Sequence, residues 1–386
     1  MKRPALTFHR VIGIVVALLM IIIGITGSIL VFDKEVNSAI HLQANKVTPV
    51  GVRIALSQVT EIIQQQYPDG RIQRIMLPMD ANEPYHLVVE EKLEKDNKTD
   101  IYVNPYSGEI LASYQRDNSF IKIINQLHTK LLAGKVGSVI VGLSGVSLLI
   151  LSITGAMLWN GWKKLAAGFK VRWSSKWRIL NYDLHHVGGF ISAFLLIIIA
   201  TTGAFLAFGQ PIPKLGYWLS GQLKEIKPVS LIQETNQSLT QDDFLAKALA
   251  VLPEGKPTIY EPAKNKESTV KVRFKLPHEL TKEGKSMVFI DQYNGQVLRV
   301  DNFFSNSWEK QFKDWTNILH TAKFGGLAVA AIYILIGIAS AGLATTGIVI
   351  WSGKKKKIKS KVKIEEKSEQ ATNFLDNKTI KISDSQ

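Results

Sequence analysis

The chain contains no cysteine. That removes disulfides, thiolate zinc sites, cysteine-held iron–sulfur clusters, cysteine nucleophiles and covalent haem attachment through C-x-x-C-H. A redox centre here must therefore be held by another side chain. No G-x-G-x-x-G follows a strand pattern, and Walker, H-E-x-x-H and nucleophile motifs are also missing, so nucleotide chemistry and hydrolysis have no sequence support. Charge is absent where apolar residues concentrate. Four runs, 11–32, 137–159, 187–208 and 327–351, carry no Asp, Glu, Lys or Arg, which argues against an ion-coupled transport path through them.

Each run is long enough to cross a hydrocarbon core, which takes roughly 20 helical residues. The first is too long for a signal-peptide core and no A-x-A site follows it, so it reads as a retained anchor. Lys and Arg number 47 against 32 Asp and Glu, a net charge of +15. The excess is not on a globular face bearing a nucleic-acid motif, so no nucleic-acid partner is expected. It lies beside the apolar runs: Lys2, Arg3 and Arg10 before the first, Lys163, Lys164, Lys170, Arg172, Lys176 and Arg178 between the second and third, and Lys354 to Lys357 after the fourth. Cytoplasmic loops collect such charge. The expected topology puts both termini in the cytoplasm and the long segments outside, in a plasma (inner) membrane, with basic residues near anionic lipids. Trp159, Trp162 and Trp351 fit an inner aromatic belt, and Trp308 and Trp315 an outer one.

The chain repeats itself. The stretch around His9 aligns with that around His185, and without a gap Thr26-Gly27 falls on Thr202-Gly203. Leu127-His128-Thr129 aligns likewise with Leu319-His320-Thr321, carrying Thr154-Gly155 onto Thr346-Gly347. Between the spans, the stretch from Tyr102 through Ser107-Gly108 to Leu111 parallels that from Phe289 through Asn294-Gly295 to Leu298. Both read as hairpins whose glycine supplies the positive φ of a tight turn. A helix is expected ahead of each, over 54–66 and 244–251, ending at Tyr67-Pro68 and Leu252-Pro253. The expected fold is an α-helical membrane protein: a four-span bundle of two parallel repeats with two small extracytoplasmic α+β domains. The divisions are a first span through 32, a domain over 33–136, a span over 137–159 and a connector over 160–186. A span over 187–208, a domain over 209–326, a span over 327–351 and a basic tail over 352–386 complete the chain.

The pattern Ala55, Tyr67-Pro68, Tyr102-Val103-Asn104-Pro105 and Gly108-Glu109, with the Leu-His-Thr triplets, resembles the PepSY-associated transmembrane helix family. The resemblance runs nearly to Trp351, and the second domain departs from it where Gln292 replaces the hairpin proline. It implies an inner-membrane protein tied to iron acquisition, a group that includes haem-containing reductases of ferric siderophores.

Of eight histidines, five flank the spans. One such residue alone is ordinarily a polar interfacial group. A repeat axis, however, brings equivalents together, pairing His9 with His185 and His128 with His320. Two imidazoles are what an electron-transferring haem needs as axial ligands, so two haem b groups are expected on these four residues. From His9 to Thr26 a helix rises about 25 Å, separating the two levels by nearly a bilayer core. His128 lies well ahead of its span, so either that helix extends outward or a separate helix precedes it. His186 competes with His185, because neighbours on a helix point about 100° apart and cannot both face one iron; the repeat favours His185. The four Thr-Gly pairs read either as room for, or a hydrogen bond to, a porphyrin, or as close helix packing, with packing favoured. His41, His86 and His278 read as surface residues.

The leading functional reading is a reductase passing electrons outward to a ferric siderophore or other ferric chelate. The cytoplasmic pieces are too short for a flavin or nicotinamide domain, so the donor is separate, a quinol or a cytoplasmic reductase. The alternatives are a membrane-anchored binding or regulatory protein for an envelope protease or peptide, without redox activity, and a structural subunit of a siderophore-uptake complex.

Overall fold

The computed structural model describes residues 2–40, 47–91, 98–116, 119–208, 227–232 and 239–353; His41 and the basic tail from Lys354 lie outside them. Four helices are long and apolar enough to cross a membrane: α1 (Lys2–Leu30), α5 (Gly134–Leu158), α7 (Trp177–Phe208) and α10 (Gly326–Gly353). Among the described residues the other α-helices are α2 (Asp33–Ile40), α3 (Leu56–Gln66), α4 (Phe120–Lys130), α6 (Leu165–Gly168), α8 (Gln241–Val251) and α9 (Trp308–His320). Eight strands also lie among the described residues: β1 (Gly70–Met76), β2 (Tyr85–Glu91), β3 (Lys98–Val103), β4 (Ile110–Gln115), β5 (Lys256–Glu261), β6 (Val270–Lys275), β7 (Ser286–Ile290) and β8 (Val297–Asp301).

Two compact units divide the chain. One comprises Met1–Ile25, Ser144–Ala200 and Ile336–Gln386, the other Thr26–Leu143 and Thr201–Leu335. In the first, α7 begins at Trp177, well before the apolar run, because Arg172 grips Asp183: its guanidinium donates twice (2.8 and 2.6 Å) and its backbone N–H once (3.0 Å) to the carboxylate. Trp159 is not an interfacial residue. It is buried, its ring 3.6 Å from and parallel to Phe190, and its indole N–H donates to the Gly168 carbonyl at 3.2 Å. The basic connector is thus folded onto the helix ends, with Gly161 and Gly168 packed so closely on that ring that neither position admits a side chain. Trp162, by contrast, is 63% exposed, as an interfacial tryptophan would be.

In the second unit all eight strands form one antiparallel sheet, in the order β4-β3-β2-β1-β5-β6-β7-β8. A helix followed by four strands occurs over 56–115 and again over 241–301. The two segments do not build two separate sheets, as the sequence led us to expect. Ile75 pairs with Tyr260 and Met76 with Ile259 across β1 and β5, and Leu77 N–H donates to the Thr258 carbonyl at 2.8 Å. Arg74–Glu261 and Lys282–Glu83 ion pairs flank the junction.

The sheet faces are set by alternation. Leu87, Val89, Ile101, Val103, Val272, Phe274, Val288 and Ile290 point into a single core. The helix α3 adds Leu56, Val59 and Ile63, and α8 adds Phe244 and Ala248, the i, i+3/i+4, i+7 spacing of a one-sided helix. The two hairpins close alike. Asn104 accepts from the Tyr106 N–H (2.9 Å) and Asp291 from the Tyr293 N–H (2.8 Å), with Gly108 at φ +75° and Gly295 at φ +71°.

The two helices are tied by one carboxylate. Asp242, in the first turn of α8, accepts from the Leu56 and Ser57 N–H groups at the start of α3 at 2.9 and 3.0 Å. Burial acts to raise its pKa, but the hydrogen bonds from Ser57 and Leu56 outweigh it and hold the carboxyl below the usual 3.8. A folded pKa below the unfolded one means that the contribution is full above about pH 4 and is lost as the pH falls through the folded value. Asp242→Ala should therefore cost about 1 kcal/mol of stability near pH 7, the worth of an N-terminal carboxylate cap. Thermal midpoints of the detergent-solubilised protein should show the gap between Asp242→Ala and the native chain closing below about pH 4; an equal gap at both pH values would contradict this role.

Candidate functional site

Two histidine pairs form, one in each unit. In the first, His9 of α1 and His185 of α7 have ring centres 6.3 Å apart and ring planes at 84°. The Nδ1 of His9 lies 2.9 Å from Oγ1 of Thr154 on α5, and that of His185 lies 2.8 Å from Oγ1 of Thr346 on α10. Each hydroxyl has one hydrogen, and it is committed: Thr154 donates to the Ile150 carbonyl at 2.7 Å and Thr346 to the Gly342 carbonyl at 2.8 Å. Toward the imidazoles these oxygens can only accept. Nδ1 of both histidines therefore carries the proton, and Nε2 is left with the free lone pair, the form in which a neutral imidazole binds a metal.

In the second unit, His128 and His320 have ring centres 6.2 Å apart, with planes at 40°. Nδ1 of His128 meets Oγ1 of Thr26 on α1, and Nδ1 of His320 meets Oγ1 of Thr202 on α7, both at 3.2 Å. Neither histidine sits on a spanning helix. Of the two arrangements open for His128, the separate helix is the one observed: α4 ends at Lys130, Leu131 and Leu132 take left-handed conformations (φ 48° and 57°), and α5 starts only at Gly134. His320 closes α9, which is held on α7 by the Phe205–Phe312 contact, ring centres 5.6 Å apart. The helix is also fastened to the sheet: Lys310 pairs with Asp301, and Lys285 donates to Asn317 at 3.2 Å. Burial pushes the Lys285 ammonium down and the Asp314 carboxyl beside it up.

The Thr-Gly pairs thus have a local task in which packing and hydrogen bonding are one arrangement. The threonine binds Nδ1, and the glycine after it leaves room for the ring. A side-chain carbon at Gly203 would stand 2.8 Å from Cε1 of His320, at Gly27 2.9 Å from that of His128, at Gly155 3.2 Å from that of His9 and at Gly347 3.5 Å from that of His185. Sequence reasoning missed that each threonine partners a histidine. The recurrence of four Thr-Gly pairs beside four of the histidines was the available signal.

The ring of His186 lies 4.2 Å from that of Tyr182 and 6.3 Å from that of His185. His86 is not an isolated surface residue: it is bonded to Asp100 at 2.7 Å and stacked 4.3 Å from Tyr102. His278 sits in a turn at φ +67°. Among the described residues no group of three or more His, Asp or Glu side chains could hold a bare metal ion. At the first pair the arrangement leaves two imidazole Nε2 lone pairs for a ligand, and the second pair brings two further imidazoles together.

Four apolar spans and an antiparallel sheet define a multi-pass helical membrane protein. The family model described as the PepSY-associated TM region matches residues 6–354, and the chain belongs to that family. No curated protein matches it.

Replacing the four glycines by alanine should cost stability in the order of crowding at the ring. Gly203→Ala and Gly27→Ala should each cost about 1–3 kcal/mol by overpacking, Gly155→Ala less, and Gly347→Ala almost nothing. Thermal midpoints in one detergent provide the ranking, and a flat series would mean that the rings are not held by these contacts.

Proposed function

We propose that the chain is a haem b-containing membrane reductase that carries electrons across the plasma (inner) membrane to a ferric siderophore or other extracytoplasmic ferric chelate. The observation that carries the proposal is the pair of histidine pairs, each at the separation that two axial ligands require. A metal–imidazole bond is about 2 Å, and a ring centre lies about 1 Å beyond its nitrogen, so two rings on opposite sides of one metal stand about 6 Å apart. The separations are 6.3 and 6.2 Å. Two ligands alone would leave a bare ion under-coordinated, whereas a porphyrin brings the remaining four nitrogens. The lone pairs of His9, His185, His128 and His320 would hold two haems; when bound, haem would supply reversible one-electron chemistry. Thr154 and Thr346 fix the tautomer of His9 and His185, all four threonines orient the ring they meet, and the apolar spans keep water away.

Both sites follow from a duplicated unit, in which α1 corresponds to α7, α5 to α10 and α4 to α9. We assign the basic connector and both termini to the cytoplasm and the sheet to the exterior by the distribution of Lys and Arg. On that orientation the sheet is the element available to a ferric chelate. Adding one electron to Fe³⁺ gives Fe²⁺, a less charged ion to which hard oxygen chelators bind more weakly. The donor is a membrane quinol or a separate cytoplasmic reductase.

Protein purified in detergent after expression with ample haem should show a Soret band and a sharp α-band on reduction, with about two haems per chain by pyridine haemochrome assay. His185→Ala and His320→Ala should each lose about half of that haem, and His186→Ala should keep it. A colourless native protein would eliminate the reductase and leave an anchored binding protein.

Sidedness has its own test, helped by the lack of native cysteine. In intact spheroplasts an impermeant maleimide should label Lys264→Cys in the exposed loop between β5 and β6 and spare Ser174→Cys in the connector. The reverse pattern would invert the proposed direction of electron flow.

A further inference from the structure

The face of the sheet turned away from the shared core differs between its two halves. On β2, β3 and β4 it carries His86, Asp100, Tyr102 and Tyr114, with Arg116 just past the end of β4. His86 Nε2 donates to Oδ1 of Asp100 at 2.7 Å, Arg116 lies 3.5 Å from the same oxygen, and the Tyr114 hydroxyl donates to that of Tyr102 at 2.9 Å. The His86 ring stacks 4.3 Å from that of Tyr102 and so joins the two bonded pairs. Folding does not demand these groups, because the other half builds the same register without them. His86 pairs with Tyr102 where Lys271 pairs with Phe289, and Asp100 pairs with Tyr114 where Met287 pairs with Asp301. The imidazole, both phenols and the carboxylate are all replaced there, and the one acid of the second set, Asp301, is taken up by Arg299 and Lys310.

We propose that His86, Asp100, Tyr102 and Tyr114 form a binding site for a ferric ion on the sheet, separate from the histidine pairs. Metal bonds of about 2 Å put neighbouring ligands of an octahedral ion about 2.8 Å apart. The two hydroxyl oxygens are 2.9 Å apart, and the imidazole nitrogen and carboxylate oxygen 2.7 Å. One imidazole and one carboxylate are too few to hold an ion, and the phenols complete a set of three oxygens and one nitrogen, hard ligands without sulfur. With both phenols ionised, the set carries three negative charges, equal and opposite to those of Fe³⁺. Burial, and then the hydrogen bond from Tyr114, push the Tyr102 phenol up from its ordinary pKa. Only a strongly polarising ion displaces such a proton, which disfavours divalent metals. On binding, two phenolic protons leave for water and the His86 ring proton moves to Nδ1, so that Nε2 ligates; no electron is transferred. The side chains of His86 and Arg116 are 24% and 36% exposed against 8% for Asp100, so the cluster is open to solvent on their side.

The test uses the full chain in detergent and Ga³⁺, a redox-silent ion with the charge of Fe³⁺. In equilibrium dialysis against gallium citrate the native chain should retain about one ion and show the near-ultraviolet difference spectrum of ionised tyrosine. Tyr102→Phe, which matches the residue at the equivalent position of the other half and so should keep the fold, should weaken retention by about a hundredfold and remove the tyrosine signal. Tyr114→Phe and Asp100→Asn should each weaken it by about tenfold or more. Tyr67→Phe, whose hydroxyl bonds Ser113 on the other face of β4, should bind like the native chain. With ferric citrate the native chain should gain the paramagnetic resonance of non-haem high-spin ferric iron, and Zn²⁺ should be retained far less than Ga³⁺. A native chain that holds Ga³⁺ no better than Tyr102→Phe, retention without a tyrosine signal, or equal retention of Zn²⁺ would overturn the site. A native protein without haem would leave it standing, since none of its ligands belongs to either histidine pair.

Discussion

The hydrogen bond between a threonine hydroxyl and a histidine Nδ1 fixes the orientation of both histidine pairs. An imidazole among apolar helices is a costly group unless its polar atoms are satisfied. It is useful as a ligand only if the satisfied atom is the one that does not ligate. Thr154 and Thr346 meet both conditions, because their hydroxyl protons are spent on their own helices. Without that commitment the ring could donate or accept, and the tautomer would be undetermined. The glycine that follows each threonine belongs to the same constraint. The hydroxyl reaches Nδ1 only if the helix backbone can approach the ring edge, and a side-chain carbon at Gly203, Gly27 or Gly155 would press on Cε1.

The sheet depends on a different bond. Strand pairing between β1 and β5 is short, two registered pairs, and would be a weak joint unaided. It is reinforced on the helix face by the Asp242 carboxylate at the start of α3 and at the sheet edge by Arg74–Glu261 and Lys282–Glu83. The Lys282 side chain donates to Glu83 and holds the Glu83 carboxyl below its ordinary range against the opposing effect of burial, while Glu83 raises the lysine. The outcome is one core shared by both segments, and each covers a strand edge that the other would leave open.

Much of this was legible in the sequence, for identifiable reasons. Spans announce themselves because a bilayer demands a minimum length of apolar helix. Hairpins do so because Gly108 and Gly295 occupy a backbone region that other residues enter at a cost. The histidine pairing followed from internal alignment, which is three-dimensional information carried in one dimension. What stayed hidden depended on contacts between distant segments with no mark of their own. Nothing in the sequence of β1 or β5 distinguishes an edge that will pair from one that will face water, so the single sheet was not foreseen. Trp159 was misplaced for a similar reason. A tryptophan at the end of an apolar run reads as interfacial, and only the fold of the connector puts Gly161, Gly168 and Phe190 around it. The two halves also diverge in ways that alignment cannot value. Tyr102 and Phe289 occupy equivalent hairpin positions, yet one ring stacks with His86 and Tyr114, and the other lies under the cations of Arg299 and Lys271, at 4.6 and 5.9 Å.

The allocation of roles among the helices ties each site to both halves of the chain. The helix α1 contributes a histidine to one pair and a threonine to the other, through His9 and Thr26, and α7 does the same through His185 and Thr202. No pair can be assembled from one half of the chain, because each takes one histidine from each half. Within a half, the partner threonine always comes from a helix other than the one bearing the histidine. Association of the halves and completion of both sites are therefore a single event. Either half alone would hold one histidine at each site and would need the other half to supply the second.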